Sequence, residues 1–556
     1  MSRLTEAAPS EATLPETAPL GATLPEASTL ELTPTLPAPA HASPAPAPAL
    51  PHLQTLLDEQ ESPLIEWPRY SCALGAQQTV VAIRRAAPIL HSGPGCSTKV
   101  QALIGQGEGY AGGSTIPCTN SGETEVIYGG ESRLREVIDG SFKVIDADLY
   151  VVLTGCTTDI VGDDVGGVVG EYQLEGRPVV YVETGGFKSN NYVSHELVVN
   201  SIIDQYVEPN KTNGGVKPGL VNVFASVPYQ DPFWNGNLEE YKRILEGIGL
   251  EVNILFGEDS GGVTEWLSIP EAQFNIVVGA WVGLEIARHL KELYGTPFVH
   301  FPYFPLGARD TTAFLRQVID AVDFDEPGRA RADAFIRGEE RKFYAHIDTL
   351  MDFLLEFRYA LPRRLYTLLD ASYALGFTRF LLNEVGILPA QQFVLDNTPE
   401  RYQEEIRKRF SEVSHLGLRS AEVAFLADAG LAHDLIRTDA GVGPSVCDAG
   451  VKSRVRDGGV EGVADAESRA GVEGAASAKS RGGIDVGGSG SGSDGSRTLI
   501  VGSSWERQLA ADIGADLLII SVPVVYRLVL GAPVIGYRGA IRVIEDLYTQ
   551  VLNTFR

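Results

Sequence analysis

Uninterrupted apolar runs, too short for helices, recur along this chain, and each is trailed by a segment with helical spacing. LYVVLTG (149–155) is followed by a helix-like stretch and then by PVVYVETGG (178–186). LVNVFASV (220–227) leads into LEEYKRILEGIG, then EVNILFG (251–257), FNIVVGAW (274–281), GLEIARHLKELYG and PFVHFPY (297–303). A third series starts near Arg364 with LYTLLDAS, LGFTRFLLNEVG and QQFVLD, and resumes with RTLIVG and ADLLIIS (515–521). A strand without apolar–polar alternation is buried on both faces, as in a parallel sheet covered by helices above and below. The pattern therefore predicts an α/β chain of three doubly wound, Rossmann-like parallel-sheet domains, at 62–215, 216–330 and 331–556. A C-terminal helix is expected to bury Val543, Ile544, Leu547, Tyr548, Val551, Leu552 and Phe555 at i, i+3, i+4 spacing.

Two segments break the pattern. Residues 1–61 are dominated by Pro, Ala, Thr and Glu, as in HASPAPAPALP, and offer little to bury. Residues 440–496 end in GGIDVGGSGSGSDGS and read as a flexible insertion within the third domain. The formal charge of −27 argues against nucleic acid or an anionic membrane as partner. No apolar run is long enough to span a bilayer, and the N-terminus lacks a basic region followed by an apolar one. A cytoplasmic location is the expectation.

Five cysteines in 556 residues are too few for a disulfide framework. Four of them, Cys72, Cys96, Cys118 and Cys156, crowd into one stretch. Cys156 ends the strand run DADLYVVLTG and precedes a helix-like TTDIVGDDVGGVV. Cys96 ends the loop HSGPGC ahead of a helical STKVQALIG, and Cys72, in PRYSCALGA, also precedes a helix. A thiol at a helix N-terminus is favoured as thiolate, the form that iron clusters require. Gly93, Gly95 and Gly155 beside them would let backbone approach an inorganic core. A single cysteine at a strand end is most often a small core residue, but three in such settings point to ligands. Cys118, in GGSTIPCTNS, is open between a fourth ligand and a buried structural thiol. Cys447 lies in the insertion and is read as incidental.

Other motifs carry less. G-x-G-x-x-G at Gly107, Gly109 and Gly112 follows a helix-like segment and opens no helix, so it fails as a dinucleotide fingerprint. No phosphate-binding P-loop and no C-x-x-C or H-E-x-x-H spacing occurs. His195, in NYVSHELVV, is read as structural. The adjacent Asp163 and Asp164 point in different directions on a helix, so capping or loop positioning is expected of them.

The runs CALGA at Cys72, HSGPGC at Cys96, YGG at 128–130 and TGCTTDIVGDD ending at Asp164 together resemble nitrogenase component 1. The cysteine intervals suit its β-type subunit, as do FPLGARDTTAFL (304–315) and the terminal GYRGAIRVIEDLYTQVLN (536–553). The resemblance covers residues 62–435 and 497–556. It implies that Cys72, Cys96 and Cys156 hold half of an iron–sulfur cluster at an interface with an α-type subunit. That cluster is an [8Fe-7S] P-cluster in nitrogenases and a [4Fe-4S] cluster in related reductases. It further implies an α2β2 assembly, an ATP-dependent iron protein as electron donor, and a catalytic metallocofactor in the α-type partner. This chain then contributes no catalytic residue and relays electrons.

Two departures qualify the resemblance. Gly186, in ETGGFKSNN, stands where molybdenum nitrogenase β subunits carry a serine near the P-cluster. The segment between ADLLIIS and GYRGAIR is shorter and lacks their usual FGFPI…DR-type loop. The stretches AGGSTIPCTNSGE and VETGGFK are most similar to nitrogenase-like methylthio-alkane reductases, which implies reductive C–S cleavage of small thioethers to methanethiol. A true nitrogenase subunit and a non-catalytic scaffold for cofactor assembly are the alternatives.

Overall fold

Three parallel sheets follow one another along the chain. The computed structural model describes residues 74–98, 116–188, 190–211, 214–357, 361–415, 417, 419–442 and 497–553. All of these belong to one unit, Pro46–Arg556. Cys72, Cys447, the glycines at 107, 109 and 112, the 1–61 arm and nearly all of the 440–496 insertion lie outside the described residues.

The first sheet has the order β1 (Ala86–His91), β2 (Leu149–Thr154), β3 (Val179–Val182), all parallel. Its strands are buried on both faces, as the apolar runs require. Ile89, Tyr150, Val152 and Val179 pack with Leu134, Ile138, Val165 and Val169. These last four come from two helices, α3 (Glu131–Val144), which follows the short α2 (Glu123–Tyr128), and α5 (Val165–Leu174), which follows α4 (Cys156–Val161). The alternate residues Leu90, Val151, Leu153 and Val180 face the main core with α1 (Leu74–Val81) and α6 (Asn191–Ile202).

The sequence pattern passes over β1, because AAPILH contains Pro88 and proline cannot donate to a ladder. The register explains its tolerance. Leu90 N–H donates away from β2, to Pro117 O at 2.8 Å. With the two-residue period of a strand, position 88 would donate to that same outer side. The missing donor therefore costs the β1–β2 ladder nothing. The pattern also passes over β10 (Glu422–Phe425), a short edge strand with no fully buried residue.

The second sheet has the order β5 (Glu251–Asn253), β4 (Lys217–Phe224), β6 (Ala272–Val278), β7 (Phe298–Phe301), with α7 (Trp234–Gly247) and α8 (Leu284–Tyr294) as crossovers. Two helices, α9 (Gly307–Val322) and the long α10 (Glu326–Phe357), lead to the third sheet. Its order is β10, β9 (Leu388–Val394), β8 (Arg364–Leu369), β11 (Thr498–Gly502), β12 (Asp516–Ile519), and α11 (Ala371–Phe380) follows β8. The terminal helix α12 (Gly536–Asn553) buries Val543, Ile544, Leu547 and Tyr548 as expected. Leu552 is half-buried, while Phe555 and the side chain of Val551 lie outside the described residues.

The helix that starts just after Cys72 is held by a backbone contact. A Cβ on Gly75 would lie 2.3 Å from the carbonyl oxygen of Asn191, so α1 and α6 meet as closely as main chains allow. Neither side is a flexible side-chain end, and a methyl group here must push the helices apart. Gly75→Ala is expected to cost about 1–3 kcal/mol. A fall in the denaturation midpoint, measured against Gly95→Ala, where an added Cβ meets nothing within 4 Å, checks this.

Candidate functional site

The carboxyl ends of β1, β2 and β3 meet at one edge, and the described thiols lie along it. β1 ends at His91, and a helical turn begins at Pro94, with Cys96 inside it. The sequence pattern places Cys96 ahead of its helix. The structure places it within the first turn, because the fixed φ of Pro94 suits a helix start. The hydroxyls of Ser97 and Thr98 both donate back to Pro94 O at 3.2 Å.

β2 ends at Thr154, and Cys156 is the first residue of α4. Gly155 between them is required by packing: a Cβ there would lie 2.0 Å from Ser92 Oγ. The Gly155 amide donates to His91 O at 3.0 Å, and Thr158 Oγ1 donates to the same carbonyl at 2.7 Å. Beyond β3, the Thr184 amide donates to Thr154 Oγ1 at 2.8 Å and its hydroxyl donates to Thr154 O at 2.9 Å. Gly185 N–H donates to Asp159 Oδ2 at 3.1 Å, and Lys188 pairs with the same carboxylate at 3.0 Å. The Gly186 amide donates to Cys156 Sγ at 3.2 Å.

Cys118 is held differently. Residues 116–121 run beside β1, with Thr119 N–H donating to Leu90 O at 2.9 Å and Ser121 N–H to Ser92 O at 3.0 Å. The Cys118 thiol donates its hydrogen to Ser92 O at 3.2 Å, and its sulfur accepts from Asn120 N at 3.4 Å. Burial pushes this thiol up. Of the two roles the sequence leaves open, this geometry favours the structural thiol.

Beneath the thiols lies a buried polar cluster that sequence reasoning does not single out. His91 has no exposed side-chain surface; its Nε2 contacts Asp163 Oδ2 at 2.9 Å and its Nδ1 contacts Thr119 Oγ1 at 3.1 Å. Asp163 Oδ1 also accepts from Gly130 N at 2.9 Å. Burial, opposed by Asp163, holds the His91 pKa below its ordinary value. Asp164 accepts from Gly167 N at 2.8 Å and caps α5. The expected capping and loop-positioning roles are thus divided between the two neighbours. The H in HSGPGC and the DD in IVGDD were the available signals, but only the fold brings them together. His195 is structural: it is buried, meets Thr79 Oγ1 at 2.9 Å, and desolvation lowers it to about 3.

The structure thus brings Cys96 and Cys156 to neighbouring strand ends, both half-buried. Cys72 lies outside the described residues, two positions before α1. Among the described residues no three His, Cys, Asp or Glu side chains converge on a single ion. Apolar side chains stand exposed at the same edge: Ile127 and Tyr128 on α2, Ile160 on α4, and Phe187 beside Gly186. Among the described residues no helix is long and apolar enough to cross a membrane.

Known proteins resemble this chain in sequence and in fold. The family described as nitrogenase component 1 type oxidoreductase matches residues 71–440. The nitrogenase molybdenum-iron protein beta chain of Methanothermobacter thermautotrophicus is 24% identical over 388 residues, covering 64% of this chain and 78% of that one. The nitrogenase molybdenum-iron protein alpha chain of Methanosarcina barkeri is 26% identical over 231 residues, covering 41% of each chain. The nitrogenase vanadium-iron protein beta chain of Trichormus variabilis is 23% identical over 281 residues, covering 45% of this chain and 57% of that one. A solved structure of nitrogenase Cp1 at pH 6.5 superposes with a TM-score of 0.64 at 16% identity, covering 90% of this chain and 97% of that one.

His91 and His195, both buried, contribute a pH dependence. An imidazole in the unfolded chain binds a proton below about pH 6.5. Native His91 and His195 resist protonation until lower pH, His195 down to about 3. At these two groups the unfolded state therefore holds more protons in this window, and their contribution to stability falls as pH falls. Buried Glu196, Asp370 and Glu384, raised to about 8, 7 and 7, hold protons in the native state over the same window and oppose this contribution. The histidine effect is therefore read from a variant: between about pH 7 and about pH 5 the urea midpoint of His195→Gln is expected to fall less, or rise more, than that of the wild type.

Proposed function

Because the chain belongs to the nitrogenase component 1 type oxidoreductase family, we propose that it is the β-type subunit of a nitrogenase-like reductase. In this reading Cys72, Cys96 and Cys156 hold half of an interfacial iron–sulfur cluster of the [8Fe-7S] P-cluster type, with [4Fe-4S] as the smaller alternative. The observation that carries it is the pair of half-buried thiols at adjacent strand ends, one with a backbone amide on its sulfur. A site for one ion would need tightly converging ligands. A cluster spans several ångströms and suits thiols spread along a sheet edge. When bound, such a cluster accepts and releases single electrons. The chain's own residues hold its loops: His91 O fixes the start of α4, and Asp159 fixes Gly185 and Lys188 behind Cys156.

The exposed Ile127, Tyr128, Ile160 and Phe187 give an α-type partner an apolar surface to cover beside the thiols. An α2β2 heterotetramer fed by an ATP-dependent iron protein, with the catalytic metallocofactor in the partner, completes the reading. The β-type assignment draws support from the longer alignments with beta chains, 64% and 57% of this chain against 41% and 38% for alpha chains.

The reaction we favour is reductive C–S cleavage of small methylthio-alkanes to methanethiol. Gly186 supports it: this position presents an amide to Cys156 and has no side-chain oxygen to offer a cluster iron. A β subunit of a true nitrogenase is the competing reading, motivated by the molybdenum-iron relatives.

The test is anaerobic co-purification with the α-type partner, followed by iron quantification and turnover with the iron protein and ATP. Cys72→Ala, Cys96→Ala and Cys156→Ala should each lose interfacial iron, while Cys118→Ser and Cys447→Ser keep it. Retention of iron by all three alanine variants would remove the ligand assignment. Methanethiol from (2-methylthio)ethanol supports the favoured reaction. Dinitrogen reduction without thioether turnover moves the assignment to nitrogenase, and cluster transfer without turnover moves it to a scaffold.

A further inference from the structure

Helix α6 carries two polar stripes through the interior. Asn191 and His195 face α1, where they meet Gly75 and Thr79. Glu196, Asn200 and Asp204, spaced four residues apart, form the other stripe. Its two ends reach α8. Glu196 Oε1 accepts from Gly283 N at 2.7 Å, just ahead of α8, and Asp204 Oδ1 meets His289 Nε2 on α8 at 2.6 Å. Asn200 sits between them.

Several polar atoms of this stripe are left without a protein partner. Glu196 and Asn200 have no exposed surface. Glu196 Oε2, Asp204 Oδ2 and both Asn200 Oδ1 and Nδ2 have no protein partner. Buried polar atoms are nearly always hydrogen-bonded, and where protein supplies no partner, ordered water does. These four atoms belong to three residues spaced four apart along α6 and the turn that continues it, and so lie on one side of it. The outer end of the stripe lies near the surface: the Asp204 side chain keeps 21% of its surface, while its Oδ2 atom and the His289 ring are buried. There the helix widens into a π-turn, Ile203–Val207, a local irregularity that often marks a functional position.

We propose that a row of bound water fills the seam between α6 and α8 and carries protons between solvent, at Asp204 and His289, and the buried carboxyl group of Glu196. Each transfer is balanced: the Glu196 carboxylic acid gives its proton to the adjacent water, leaving a carboxylate and a hydronium ion that passes its proton outward along the row, and the reverse step restores the acid. No oxidant or reductant takes part. Burial raises Glu196 to about 8, opposed by the Gly283 amide, Arg401 and Arg288 and reinforced by Glu285, which favours the protonated form at neutral pH. Glu196 lies one helical turn from Tyr192, which lines a cavity shared with Asp370 and Asp396. The row thus leads from the surface toward the junction of the three sheets. It involves none of the thiols and is independent of the cluster assignment.

The full chain, purified with its partner, provides the test. Crystals should show water within hydrogen-bonding distance of Asn200 Oδ1 and Nδ2 and of Glu196 Oε2. Infrared spectra at neutral pH should show a protonated carboxyl band that disappears in Glu196→Gln. In D2O this band should shift rapidly in the wild type. Asn200→Leu should lose the rapid shift, and Asn200→Ser should retain it. If Asn200→Leu does not fold, Asp204→Leu at the partly exposed mouth blocks the same route. A dry seam, a Glu196 that is ionised at neutral pH, or exchange as fast in both leucine variants as in the wild type would overturn the proposal.

Discussion

A single buried histidine registers the edge on which the candidate site is built. The His91 carbonyl, at the end of β1, accepts from both Gly155 N and Thr158 Oγ1. The first turn of α4, and with it Cys156, is thereby fixed relative to β1. Its ring reaches in two other directions, to Thr119 beside Cys118 and to Asp163 ahead of α5. Asp163 in turn holds Gly130 at the start of α3. One residue thus touches three segments and reaches a fourth through Asp163, its carbonyl holding α4 and its ring holding the other two. Leaving the buried ring unpaired would cost more than its hydrogen bonds contribute, so its two ring contacts stand or fall together. Gly155 and Gly130 complete it by omission: a Cβ on either would strike Ser92 or the His91–Asp163 pair.

Much of the architecture was legible in the sequence because parallel strands buried on both faces leave an unmistakable mark. Ten of the strands, β2 to β9 with β11 and β12, coincide with apolar runs. β1 and β10 escaped for opposite reasons. β1 contains a proline whose missing donor happens to face outward, a fact of register that no local pattern carries. β10 is a half-buried edge strand whose short EVAF lacks the apolar weight of a central one.

The site was legible to a lesser degree. Glycine neighbours and strand ends marked Cys96 and Cys156, but cysteine spacing could not separate them from Cys118. Both the Cys118 and the Cys156 sulfur accept a backbone N–H, from Asn120 and Gly186; Cys118 differs in also donating its hydrogen to Ser92 O. All of these partners are backbone groups, and backbone partners are invisible in a sequence. The same holds for Asp163 and Asp164, adjacent in the chain and read together, which the fold sends to different partners.

Open α/β sheets usually bind ligands where strand order reverses at the carboxyl edge. In the second sheet that point lies between β4 and β6, and in the third between β8 and β11. The two edges meet at a cavity of about 20 Å³ lined by Asp231, Asp370 and Asp396, room for about one water. Three buried carboxyl groups could suggest a reaction centre, but their hydrogen bonds argue otherwise. Asp231 accepts from Phe233 N, Asn237 and Tyr373; Asp370 caps α11; Asp396 accepts from Trp281, Ala371 N and Thr398. Each carboxyl group joins elements that belong to different sheets or to successive turns of the third. The position that topology reserves for a ligand is occupied here by the protein's own struts. The thiol edge of the first sheet differs: Cys96 and Cys156 are half-buried there rather than tied up as struts, and Ile127, Tyr128, Ile160 and Phe187 are exposed on the segments beside it.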